Sequence, residues 1–122
     1  MPRPGWPDWG VYVDRDCFCE YCGFDGTGYL AWQQLEIDHI IPQSKGGRDA
    51  PLNKAVACHG CNRDKGFYDP RSGEAVTEPS GPAMRAEMIQ RAWQHIKECR
   101  LQKQYPSAHE DMAKDIQAKK RK

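Results

Sequence analysis

The sequence has no long hydrophobic run and few apolar residues. Hydrophobic residues make up 39% of its 122 positions, and no stretch approaches the roughly 20 consecutive apolar residues of a membrane span. The N-terminal MPRPGWPDWG has no apolar segment of the kind found in a signal peptide. These absences predict a cytoplasmic protein with reduced thiols and no membrane association. A single domain with so thin a core often needs a bound metal ion to stabilise it.

The chain also has almost no net charge, with a formal value of +1. Its basic residues are nevertheless concentrated in positions 43–66. Five basic side chains accompany two acidic ones there: Lys45, Arg48, Lys54, Arg63, Lys65, Asp49 and Asp64. Composition alone therefore does not ensure tight, non-specific binding to phosphates, and these charges are equally consistent with a solvated face.

Composition predicts the elements of the first half only in part. Residues 1–10 are rich in proline, glycine and tryptophan, which argues against a helix. Residues 11–16 fit either a short helix or a strand. Residues 29–32 and 35–41 have the composition of strands. A loop follows, with its flexibility expected at Gly46-Gly47.

The second half is predicted to be helical. Residues 62–67 are expected to begin one helix, and residues 68–81 form a linker. Pro82 suits the first turn of a longer helix that ends near Tyr105. This helix carries an apolar stripe at helical spacing: Met88, Ile89, Ala92, Trp93, Ile96 and Cys99. Residues 107–110 form a capping box for a shorter helix.

Two Cys-x-x-Cys pairs supply four thiols: Cys19, Cys22, Cys58 and Cys61. Four thiolates around one tetrahedral ion make a closed structural zinc site, with no open position for a substrate. A redox pair of the thioredoxin kind is disfavoured, because there are two pairs and no βαβ pattern around either. Cys17 could replace one ligand, but we expect Cys17 and Cys99 to be partly buried and to bind no metal.

An adjacent carboxylate and imidazole, Asp38-His39, lie between the two pairs. Neighbouring residues on a strand point to opposite faces, so both can face one cavity only if the strand ends there and the chain bends, as Pro42 suggests. They would then meet Asn62, which directly follows Cys61. Oxygen ligands with space for water suit Mg²⁺ or Mn²⁺, and a neutral histidine beside the ion can accept a proton from water. Asn53, taken alone, could simply cap a turn.

In combination these motifs resemble the signature of the HNH endonuclease family. The matching elements run in order over about residues 15–66: Cys19/Cys22, Asp38-His39-Ile-Ile-Pro42, Gly46-Gly47, Asn53, and Cys58-x-x-Cys61-Asn62-Arg-Asp-Lys65-Gly66. The resemblance covers less than half of the chain. It departs from the usual pattern at Asn62, which replaces histidine in a common variant of the family, and at Lys54, where an apolar residue is usual.

The resemblance implies an α+β protein with a small ββα-metal core, a four-cysteine zinc site and C-terminal helices. It implies hydrolysis of DNA, expected to be double-stranded, with His39 as general base and Asp38 and Asn62 holding one catalytic Mg²⁺ or Mn²⁺. Asn53 would keep His39 oriented, and the products would carry a 5′-phosphate and a 3′-hydroxyl. Contacts to the nucleic-acid backbone are expected from Lys65, Arg63, Lys45 and Arg48.

Two other functional classes stay open from the sequence. One is a non-catalytic zinc-ribbon adaptor that binds nucleic acid or protein, although such a scaffold has no need of Asp38, His39, Asn53 and Asn62 together. The other is thiol redox catalysis. The protein is expected to be a monomer, or a dimer formed through the C-terminal helix.

The expected organisation has four parts. An N-terminal segment (1–14) precedes the nuclease core with its zinc knuckles (15–68). A linker (69–82) then leads to a helical extension with a basic tail (83–122).

Overall fold

A computed structural model describes residues 8–120, apart from the side chains of residues 105 and 106. The predicted N-terminal segment and basic tail therefore lie partly outside the described residues. The helices and strands follow in this order: α1 Trp9–Asp14, α2 Tyr29–Trp32, β1 Leu35–His39, β2 Lys54–Cys58, α3 His59–Lys65, α4 Pro82–Gln102 and α5 Tyr105–Lys120. Two 3₁₀ turns, Gln43–Lys45 and Pro51–Asn53, lie between the strands.

The strands β1 and β2 form an antiparallel pair in which Leu35 lies opposite Cys58 and His39 opposite Lys54. Helix α3 begins directly after β2 and contacts both strands. The sulfur of Cys58 accepts a hydrogen bond from the amide of Cys61 and so caps the helix. This ββα unit confirms the expected α+β fold.

The connection between the strands begins with two buried residues and contains two glycines in constrained positions. Ile40 and Ile41, directly after β1, are fully buried. Gly46 has a φ of +93°, a left-handed conformation that glycine adopts without strain. A Cβ atom on Gly47 would lie only 1.8 Å from the carbonyl oxygen of Ile41. Backbone geometry at Gly46 and lack of space at Gly47 therefore explain the two glycines, and the flexibility expected there stays a prediction.

Helix α4 is part of the core rather than an extension of it. Met88, Ala92 and Ile96 are fully buried and belong to one hydrophobic cluster with Ile40 and Ile41. The apolar stripe predicted on this helix thus packs against its own domain. Pro82 is its first residue, as the sequence predicted.

Arg85 of α4 fastens the first Cys-x-x-Cys segment to the sheet. One of its amino groups lies 2.8 Å from a carboxylate oxygen of Glu20, and the other donates to the carbonyl oxygen of Lys54 at 2.8 Å. Glu20 also accepts a hydrogen bond from the amide of Val56 at 2.8 Å. Helix α4 therefore links two segments that are distant in sequence.

Three predictions about local structure were wrong. Tyr29–Trp32 is a helical turn, and because Tyr29 and Leu30 are exposed it buries no face against a sheet. Helix α1 starts at Trp9, inside a segment expected to be non-helical. The capping box expected at residues 107–110 lies inside α5, which already begins at Tyr105, whereas α4 ends at Gln102, near its predicted end. Proline is tolerated in a first helical turn, where its missing N–H is not needed, so α5 can carry the proline at position 106.

Within residues 8–120, every helix is too short or too polar to cross a membrane.

Candidate functional site

The four predicted thiols meet at one point. The sulfur atoms of Cys19, Cys22, Cys58 and Cys61 all lie within 4.8 Å of one another, and we call them the thiol cluster. Thiolates about 2.3 Å from a tetrahedral ion are about 3.8 Å apart, and the sulfurs of Cys22 and Cys58 are 3.8 Å apart. The cluster therefore fits a metal ion such as zinc. Cys17 and Cys99 lie outside it and are half-buried, as predicted.

The surroundings of the thiol cluster favour bound thiolates. The amides of Cys22 and Cys61 each donate to the sulfur three residues earlier, at 3.4 Å. With no ion between them the thiols share their protons: hydrogen bonds from Cys58 and Cys61 lower the pKa of Cys19, hydrogen bonds with Cys19 and Cys58 raise the pKa of Cys61, and burial raises that of Cys22 to about 11. The guanidinium group of Arg100 on α4 donates to the sulfur of Cys61 at 3.3 Å. Four thiolates around a divalent ion carry excess negative charge, which this cation partly offsets.

We expect the substitution Arg100→Met to weaken zinc binding by about tenfold to a hundredfold, the usual effect of losing a partner of a metal ligand. Competition with a chromophoric chelator would measure the change. Arg91→Met is the matched control, because Arg91 lies on the same helix but pairs with Glu74. Equal zinc affinity in both variants would contradict a role for Arg100 at the cluster.

A cleft of about 270 Å³ opens beside the ββα unit. Residues from β1, from the segment after it and from α3 line this cleft, among them Asp38, His39, Pro42, Asn62, Gly66 and Phe67. The structure thus brings Asp38, His39 and Asn62 to one cavity. Asn53 does not line the cleft.

Asp38 is almost completely buried at the base of the cleft. The hydroxyl of Tyr21 donates to its Oδ2 at 2.5 Å, and Nζ of Lys65 lies 3.2 Å from the same oxygen. Burial raises the pKa of Asp38, while Lys65 and Tyr21 oppose that rise. The other oxygen, Oδ1, receives only a longer contact of 3.4 Å from Lys65. It retains lone pairs for a cation.

His39 is the last residue of β1, and its side chain is 24% exposed. Its Nε2 lies 2.9 Å from Oδ1 of Asp49, which belongs to the loop between the strands. Asp49 could not be recognised from the sequence as the partner of His39, because the path of the loop decides which of its side chains reaches the imidazole.

Asn62 is oriented by a second carboxylate. Its amide nitrogen donates to Glu36 at 2.6 Å, and the other oxygen of Glu36 lies 2.8 Å from Nδ1 of the exposed His59. The hydrogen bond from Asn62 lowers the pKa of Glu36, so the carboxylate is ionised and only accepts. The amide oxygen of Asn62 is therefore directed away from Glu36. Glu36 lies two residues before Asp38, on the same face of β1, which is a signal that the sequence analysis did not use.

Asn53 is fully buried and holds the chain that follows His39. Its side-chain oxygen accepts from the amide of Ile41 at 2.8 Å. Its side-chain nitrogen donates to the carbonyl oxygens of Ile41 and Arg48, at 3.0 and 2.8 Å. The side chain thereby fixes both ends of the turn around the cleft.

The four basic residues expected to contact nucleic acid differ in position. Lys65 is buried and bonds Asp38 and the carbonyl oxygen of His39, so it does not present its amine to the solvent. The expectation for Lys65 is therefore corrected. Lys45, Arg48 and Arg63 are exposed.

Residues 19–67 match the family model described as HNH endonuclease. The match contains the thiol cluster, both strands and α3, and it confirms the resemblance found in the sequence. No curated protein and no solved structure matches the chain.

Proposed function

We propose that this chain, whose residues 19–67 match the HNH endonuclease family, is a metal-dependent endonuclease that hydrolyses phosphodiester bonds of double-stranded DNA. The observation that carries the proposal is the meeting of Asp38, His39 and Asn62 in one cleft. A carboxylate and an amide oxygen can hold a divalent ion, and an imidazole can take a proton from water.

His39 is the proposed general base. Because Nε2 lies beside the carboxylate of Asp49, that nitrogen carries the proton, and Nδ1 keeps its lone pair. Nδ1 takes a proton from a water molecule whose oxygen then bonds to phosphorus, while the bond from phosphorus to the 3′ oxygen breaks and that oxygen takes a proton from a second water molecule. The products carry a 5′-phosphate and a 3′-hydroxyl. The bonds of Asn53 to Ile41 hold the backbone that follows His39.

Asp38 and Asn62 fit a catalytic Mg²⁺ or Mn²⁺, because both offer oxygen atoms in the cleft. When bound, such an ion offsets the negative charge that develops on the phosphate and on the leaving oxygen. Tyr21 and Lys65 hold the Asp38 carboxylate from the protein side. Glu36 keeps the amide of Asn62 in one orientation.

The thiol cluster is proposed to bind one structural zinc ion. Cys58 lies opposite Leu35 at the start of β1, and Asn62 directly follows Cys61. Zinc would therefore fix the distance between the strand that carries Asp38 and the helix that carries Asn62. Lys45, Arg48 and Arg63 are the proposed contacts to the DNA backbone.

The test is nicking of supercoiled plasmid by zinc-loaded protein, with and without added Mg²⁺ or Mn²⁺. We expect nicked circles only with the added ion, and ends that DNA ligase can reseal. Asn62→Ala should reduce cleavage at low ion concentration. His109→Ala should cleave like the wild type and controls for differences between protein preparations, since His109 is exposed on α5. DNA binding without cleavage, by protein that carries one zinc per chain, would instead favour the adaptor.

A further inference from the structure

The loop between the strands supplies a partner for the proposed base. Nε2 of His39 lies 2.9 Å from Oδ1 of Asp49, a hydrogen-bond distance. The side chain of Asp49 is 61% exposed, whereas that of His39 is 24% exposed. An ion pair so open to solvent adds little to stability. A contribution to folding therefore does not explain the contact.

Asp49 is itself held by Lys54, which lies opposite His39 in the sheet. Nζ of Lys54 is 3.0 Å from Oδ1 of Asp49 and 2.6 Å from Oδ1 of Asp8. The side chains of Lys54 and Asp8 are largely buried, at 16% and 23% exposure. A continuous chain of polar contacts thus runs from Asp8 through Lys54 and Asp49 to the imidazole.

This chain gives a physical reason for the departure from the family pattern at position 54. An apolar side chain opposite His39 could not hold the carboxylate of Asp49. Hydrogen bonds from His39 and Lys54 lower the pKa of Asp49, which therefore stays ionised and only accepts. An ionised acceptor at Nε2 selects the imidazole tautomer that has its proton on that nitrogen.

We infer that Asp49, held by Lys54 and Asp8, is the positioning residue that fixes the tautomer and ring orientation of His39. The inference deepens the proposed function and rests on it for its catalytic meaning. Nζ of Lys65, another charged group near His39, donates to the backbone carbonyl of His39 rather than to the ring. Asp49 touches no reacting atom in this scheme.

The test compares Asp49→Asn and Asp49→Glu with the wild-type protein in plasmid nicking. Small errors in the placement of a catalytic group cost up to about a hundredfold in rate. We expect Asp49→Asn to lower kcat about tenfold to a hundredfold with KM little changed, and Asp49→Glu to recover part of the loss. Glu74→Gln, which removes the charge of a half-buried carboxylate paired with Arg91 outside the lining of the cleft, is the matched control.

A second readout does not depend on cleavage. Nitrogen–proton correlation spectra of the labelled, zinc-loaded protein report which ring nitrogen of His39 carries the proton. We expect the Nε2-protonated form in the wild type and a mixture of tautomers in Asp49→Asn and in Lys54→Met. Unchanged ring signals together with unchanged kcat would overturn the inference. Altered ring signals in a protein that never cleaves DNA would uphold the positioning role and refute the proposed function.

Discussion

Replacing His39 with alanine is expected to slow DNA cleavage by about a hundredfold to ten-thousandfold, the range over which general acid–base catalysis contributes. The side chain lies at the end of β1, in the cleft, and Asp49 is its hydrogen-bond partner. Because the imidazole is partly exposed and lies outside the hydrophobic cluster of the described residues, its removal should leave the melting temperature and the bound zinc unchanged. Rates of plasmid nicking under saturating Mg²⁺ or Mn²⁺ would measure the effect.

A second histidine-to-alanine substitution, outside the cleft, is the matched control. His109→Ala removes an exposed histidine on α5 and should cleave at the wild-type rate. Equal nicking by wild type, His39→Ala and His109→Ala would reveal a contaminating nuclease or a different base. Loss of activity together with a lower melting temperature in His39→Ala would point to a structural role instead.

Cys58→Ser is expected to have the largest effect on stability. It removes one of four thiolates and leaves the other three without a closed site. Structural zinc ions contribute about 10–16 kcal/mol to the folding of small domains, more than the whole net stability of most domains. Cys58 also caps α3 and lies opposite Leu35 in the sheet. We therefore expect loss of zinc and loss of the cooperative thermal transition.

Metal analysis and thermal unfolding followed by circular dichroism would test this expectation. Cys99→Ser and Cys17→Ser are the matched controls, because both thiols are half-buried and lie outside the thiol cluster. These variants should keep one zinc ion per chain and melt close to the wild type. A Cys58→Ser protein that retains zinc and its transition would show that the sulfur of Cys58 is needed neither to hold the ion nor to stabilise the fold.

The elements that the sequence predicted well are those whose cause is local or chemical. The thiol pairs follow from ligand spacing, and α4 follows from a periodic apolar stripe that begins after Pro82. Residues 29–32 were wrongly predicted to form a strand, because β-forming residue types do not reveal whether a neighbouring strand is present. The role of Gly47 was missed because the obstacle is a carbonyl oxygen six residues earlier in the chain, at Ile41.

The residues of the candidate site also divide into those that the sequence predicts and those that it does not. Asp38, His39 and Asn62 could be named from the sequence because their types and order form a motif. Asp49 and Lys65 could not be placed, since one depends on the path of a loop and the other on the direction of a side chain at the end of α3. A lysine in a basic segment, such as Lys65, is usually solvated. Here its amine is buried against Asp38.

The position of α4 bears on how this nuclease-like segment could be reused. Residues 19–67 contain the whole motif, yet Arg85 joins Glu20 to β2, and Arg100 bonds the sulfur of Cys61. A fragment cut at residue 67 would expose the fully buried Ile40 and Ile41 and leave Glu20 without its buried partner. The motif therefore cannot be moved to another protein by itself. A designer who wishes to graft it onto another protein must transfer the following helix as well, or supply an equivalent one.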